Sequence, residues 1–153
     1  MAAPDIPAAL VVLQTHLAAA AAAVDATFTD VGRGLPFLRG RQLRYYWGGE
    51  VPPPRFSGAE VLNGQMVGER FLIVGFWPVP DGSETAAADQ DAEIISLAGE
   101  IRTRLNADNE LGGNVDNLIL AYADPNLLVV AGGLHVVVTW TLDLAYVEYP
   151  LAR

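Results

Sequence analysis

The chain has 153 residues, 52% of them apolar and 18% charged, with a formal net charge of −9. That is long enough for one real core and too apolar for a disordered chain. So acidic a protein is poorly suited to gripping nucleic acid, the lack of cysteine excludes disulfides and thiolate metal sites, and the lack of lysine excludes a P-loop.

The first predicted element is a helix over residues 5–24. Asp5 is its N-cap, Pro7 is tolerated in the first turn, and Ile6, Leu10, Leu13, Leu17 and Val24 form one apolar stripe. The alanine run 18–23 lets another backbone approach closely. The segment is short of a bilayer span and has no preceding arginine, so it reads as mature structure rather than a secretory leader or membrane anchor. Residues 27–41 read as loop, punctuated by Gly32, Gly34, Pro36 and Gly40. A strand follows over 42–47, and then an extended arm over 48–64, broken by Gly48-Gly49 and Pro52-Pro53-Pro54.

The next strand covers 65–77. Its run Phe71-Leu72-Ile73-Val74 lacks alternation, so both faces should be covered. A second helix is predicted over 85–106, with a core stripe of Ile94, Leu97, Ile101 and Leu105 and acids gathered in its first half. Gly112-Gly113 stops it, and strands are predicted over 114–123 and 127–131. The closing strand, 134–146, alternates Leu134, Val136, Val138, Trp140, Leu142, Leu144 and Tyr146 with His135, Thr139, Thr141 and Asp143. Its length exceeds that of a typical strand, so its first half is expected in the core and 142–149 on a shared assembly surface. Helix, strands, helix, strands predicts a single α+β domain: an antiparallel or mixed sheet against two helices.

Chemistry is harder to find. His16 sits on a helix flank and His135 on the outward side of a strand, with no second histidine near either. Ser57, Ser83 and Ser96 lie in no nucleophile elbow, and Gly32-Arg33-Gly34 has Phe37 where a dinucleotide loop needs its third glycine. Asp89, Asp91, Glu93 and Glu100 match acidic positions of a calcium loop, but Ile94 stands where glycine must turn the chain. On a helix, Asp89, Glu93 and Glu100 instead share one acidic face. No catalytic residue, metal ligand or cofactor is predicted.

Charge is segregated along the chain. Residues 31–70 hold six arginines and three glutamates, whereas 81–116 hold nine acids and two arginines. One basic and one acidic section can pair head to tail between copies, or simply within one copy. Arg39, Arg41, Arg44 and Tyr46 are therefore candidate interface residues, mixing cations and aromatics as protein contacts do. Arg55 and Phe56 on the arm, Asp89, Glu93 and Glu100 on the helix, and Tyr146 and Tyr149 at the end complete the set.

One resemblance adds to this. Leu111-Gly112-Gly113-Asn114-Val115-Asp116, then Ala123-Asp124, then Gly132-Gly133-Leu134-His135-Val136-Val137-Val138, and finally Leu142-Asp143-Leu144 with Tyr149-Pro150, carry it. In layout this resembles the tail terminator (tail completion) proteins of long-tailed siphophages, particularly those of actinobacterial hosts, over residues 85–153. The resemblance implies a non-enzymatic virion protein at the tail–neck junction, assembled in the host cytoplasm. It implies a hexameric ring that caps the tail tube, docks to the head–tail connector and lets DNA pass through its lumen. Neither a membrane nor a cofactor is implied. The neighbouring possibilities are a head-completion adaptor or stopper and a tail tube subunit, with a small enzyme as the contrasting class.

Overall fold

A computed structural model describes residues 4–24, 30–35, 40–52, 64–80, 84–121, 123–130 and 133–148. The elements in chain order are α1 (Ile6–Ala23), β1 (Asp30–Arg33), β2 (Gln42–Val51), β3 (Gln65–Pro78), α2 (Glu84–Ala107), β4 (Asn117–Leu120), β5 (Asp124–Val130) and β6 (Gly133–Glu148). This is an α+β fold: two helices and a six-stranded mixed sheet. The strand order is β1-β2-β3-β6-β4, with β5 also on β6.

The helices form where the apolar stripes predict. Asp5 caps α1 by accepting the Ala8 amide at 3.0 Å, and Leu10, Leu13 and Leu17 are buried. Ala9, Ala20 and Ala21 are buried as well, so the small side chains of α1 are used within this fold. By length and hydropathy α1 is apolar enough to cross a membrane, yet its leucines pack into the core of the chain. On α2, Leu97, Ile101 and Leu105 are buried and Ile94 packs beside them.

β6 organises the sheet. It pairs with β3 from His135 to Glu148, which fills one edge along nearly its whole length. The other edge is shared by β5 against Gly133 to Thr139 and β4 against Leu142 to Ala145. Opposite residues of an antiparallel pair share a face, so Leu43, Ile73, Trp140, Leu142, Leu144 and Leu118 meet under the helices. The second face buries Val74, Phe76, Ala145 and Val147, which accounts for the unbroken apolar run in β3.

Several expectations are corrected. β1 lies inside the segment read as loop, and it pairs with β2 in parallel. β2 runs past 47 to Val51 through a bulge at Gly48, so the start of the predicted arm is strand; residues 53–63 lie outside the described residues. The strand predicted over 114–123 is only Asn117–Leu120, because residues 108–115 form a turn in which Leu111, Gly112 and Gly113 all have positive φ. The end of β6 does not leave its sheet. Leu142, Leu144, Ala145 and Val147 are buried, and the Val147 amide donates to Asp116 Oδ2 at 2.8 Å. The exposed apolar end of this strand is its beginning, at Leu134.

That turn ties the two helices together. Asp108 accepts the Gly112 amide on Oδ1 at 2.9 Å, and its Oδ2 lies 2.7 Å from His16 Nε2 on α1. These contacts, the Gly112 amide first, hold the Asp108 carboxyl below its ordinary range. A depressed carboxylate stabilises the fold above its unfolded pKa, and that contribution is lost as pH falls through the folded value. Asp108→Asn should therefore lower stability at neutral pH, with the gap to wild type narrowing below about pH 4. Urea titrations across pH check this; a gap that stays constant into acid contradicts it.

Candidate functional site

The residues predicted from charge segregation do meet, but within one chain. Arg41 Nη1 lies 3.4 Å from both carboxylate oxygens of Glu93, and Glu93 Oε2 also accepts the Trp77 indole N–H at 2.8 Å. Arg104 pairs with Glu100 one helical turn away at 3.3 Å. Arg44 is buried, and its guanidinium donates to the Arg33 and Gly34 carbonyls, closing β1 onto β2. The expected pairing of the arginine section with the acidic helix is thus internal for Arg41 and Glu93. The reason is topological: the β2–β3 hairpin sets Gln42, the neighbour of Arg41, against Phe76, the neighbour of Trp77. Arg39, Arg55, Phe56 and Tyr149 lie outside the described residues.

Asp89, Glu93 and Glu100 line one groove of about 750 Å3 beside the end of α1, together with Ser96, Arg102 and Thr103. Asp89 is exposed, whereas Glu93 and Glu100 are partly covered by their arginines. Tyr46 is half-buried on the helix-free face, beside Leu72. Tyr146 donates its hydroxyl to Glu69 Oε2 at 3.2 Å. His135, expected to point outward, is buried: its ring stacks on Phe76 at 4.6 Å, and Nδ1 lies 3.2 Å from the Gly133 carbonyl. Among the described residues no three His, Cys, Asp or Glu side chains gather as a metal would require.

Burial, followed by the carboxylates of Glu69, Glu148 and Glu50, pushes the Tyr146 phenol up to about 12. Its ordinary value is 10.0, so this contribution to stability is full below pH 10 and is lost as pH rises toward 12. A phenolate absorbance titration should show one tyrosine ionising near that value and absent from Tyr146→Phe. Identical titration curves for the two proteins would rule it out.

A different surface stands out in the fold. Along β5, Leu127 is 67% exposed, Leu128 45% and Val129 79%. Both faces of this strand are wet, and among the described residues no helix and no second layer of strands covers either face. Beside it, a mostly apolar groove of about 480 Å3 runs between α2 and the β5–β6 hairpin. Ile94, Ile95, Leu127, Leu134, Val136 and Pro80 are among its walls, and Asp91 sits at its margin. Ile95 is 64% exposed and lies on the flank of α2, outside the predicted core stripe. Sequence reasoning placed a short strand over 127–131 without assigning it a role. The available signal was five consecutive apolar residues, 127–131, between turn-forming residues, which no alternation assigns to a face.

No protein-family model matches this sequence, and no curated protein matches it.

Proposed function

We propose that this chain is a structural assembly protein of a long-tailed phage, a terminator that forms a ring on the finished tail tube. In this role it ends tube polymerisation and offers its outer surface to the head–tail connector. It sits in the virion at the tail–neck junction and is assembled in the host cytoplasm.

The observation that best supports an assembly role is the exposed apolar edge at β5 with the groove beside it. A small acidic protein that leaves three adjacent large apolar side chains exposed on an edge strand is built to be covered by protein. The net charge of −9 suits a ring through which DNA passes without being held. The role requires no cofactor. Its partners are other copies of the chain, in a hexamer, the tail tube protein and the connector.

Electron microscopy of the purified protein, alone and mixed with tail tubes, tests the reading. Single rings capping tubes are expected. Long tubes would assign the chain to the tube itself, rings that bind only the portal side would make it a head-completion adaptor or stopper, and monomers that ignore tubes would refute all three.

A further inference from the structure

The two sides of the sheet are finished differently. On one side, β1 is only four residues long, and two of its carbonyls are already taken by side chains: Val31 by Gln14 at 2.7 Å and Arg33 by Arg44. Where β2 runs on past β1, the bulge at Gly48 breaks its register. Short length, capped acceptors and bulges are the usual ways to stop a sheet edge from recruiting another strand.

The β5 edge has none of these beyond Pro125 near its start. Its seven residues pair with β6 in unbroken register, from Asp124↔Thr139 to Val130↔Gly133. The direction of its free hydrogen-bonding groups follows from one contact. Val79 N–H donates to the Leu134 carbonyl at 2.9 Å, so Leu134 turns its backbone groups toward β3. Val129 stands opposite Leu134 and is therefore a non-hydrogen-bonded partner, with its own N–H and C=O aimed outward. Two residues away, Leu127 does the same, and Leu128 points its groups inward.

We propose that β5 pairs antiparallel with β5 of a second copy, about a twofold axis beside Leu128. In that register Leu127 of each copy faces Val129 of the other, and all four outward donors and all four outward acceptors of these residues are satisfied. Registers centred on Leu127 bring in Pro125, which has no N–H to give. Leu128 meets Leu128 on one face of the joined sheet, while Leu127 and Val129 extend the apolar wall that includes Leu134 and Ile95 on the other.

A second copy meets no like-charge cost at this edge, although the chain as a whole is acidic. No ionisable residue occurs between Pro125 and Leu134, so the edge offers no charge for an acidic or basic partner to read. In the twofold register Asp124 also lies beyond the paired stretch, which keeps like charges apart in a chain that carries −9. The inference does not rest on the ring reading, since a cyclic ring needs a separate head-to-tail contact.

The absence of cysteine makes the test clean. In the proposed register the two Leu128 positions form a non-hydrogen-bonded pair about 4.5 Å apart at Cα, within disulfide reach. Leu128→Cys should oxidise to a covalent dimer, and Ala107→Cys, exposed at the end of α2, should stay monomeric on a denaturing gel. Val129→Lys should remain folded by circular dichroism and lose the twofold association in sedimentation velocity. Cross-linking of Leu128→Cys no faster than that of Ala107→Cys, or an assembly unchanged by Val129→Lys, overturns the pairing. The ring reading is judged separately. A hexamer that survives Val129→Lys overturns the β5 pairing and leaves the ring standing, whereas wild-type dimers that go no further uphold the pairing and sink the ring.

Discussion

Trp77→Ala should cost about 3–5 kcal/mol, the range for removing a fully buried large aromatic. The indole is wholly buried in the cluster that includes Ile73, Val138 and Trp140, between the sheet and the helices. Its N–H also holds Glu93 Oε2 at 2.8 Å, and Glu93 in turn meets Arg41 at 3.4 Å. The substitution therefore opens a cavity and takes one donor from a partly buried carboxylate. For a chain of this size the loss corresponds to a fall in melting temperature of roughly 6–20 °C. Trp77→Phe should lose distinctly less, because it keeps most of the apolar volume while Glu93 retains its arginine. Urea denaturation of the two variants measures the difference. Equal losses would mean that the hydrogen bond, and not the packing, dominates.

Gly75→Ala is expected to destabilise by about 1–3 kcal/mol or more, as overpacking a dense core does. The sign is the informative part. Glycine inside a strand is normally a weakness, and alanine there would gain roughly 0.5–1 kcal/mol. At Gly75, however, a Cβ would fall onto Cη2 and Cζ3 of Trp77 and within 3.3 Å of Trp140 Cζ3. The outer edge of the Trp77 indole occupies the space that a side chain would need. Phenylalanine lacks that outer edge, so Gly75→Ala combined with Trp77→Phe should cost less than the sum of the two single changes. Additive losses would show that Trp77 is not what forbids a side chain at 75.

Legibility in the sequence followed the range of the signal. The stripes on α1 and α2 and the alternation of β6 are local periodicities, and each side chain landed on the face its period assigned. Asp5 was readable as a cap because a cap acts on an amide three residues away. β1 was not readable. It has four residues including Gly32, and Gln14 and Arg44 hold it from other elements. His135 was assigned to an outer face by alternation, and it is buried. Period two separates the faces of a sheet, but it carries no information on whether a face is covered. Of the candidate interface residues within the described segments, Arg41, Arg44, Glu93, Glu100 and Tyr146 all have partners inside the chain. Arg41 meets Glu93 because the β2–β3 pairing brings it beside Trp77, which the chain order keeps far away.

The sequence by itself therefore determined the α+β class, the two helices with their apolar stripes, and which residues of the closing strand share a face. These depend on spacings of two to four residues, which local backbone geometry enforces. Only the tertiary structure decided that β3 fills one whole edge of β6 and that β4 and β5 divide the other. It also decided that the surplus apolar surface gathers at β5 rather than at the end of β6. Which strand becomes an edge depends on pairings across the whole chain, and no local pattern encodes that.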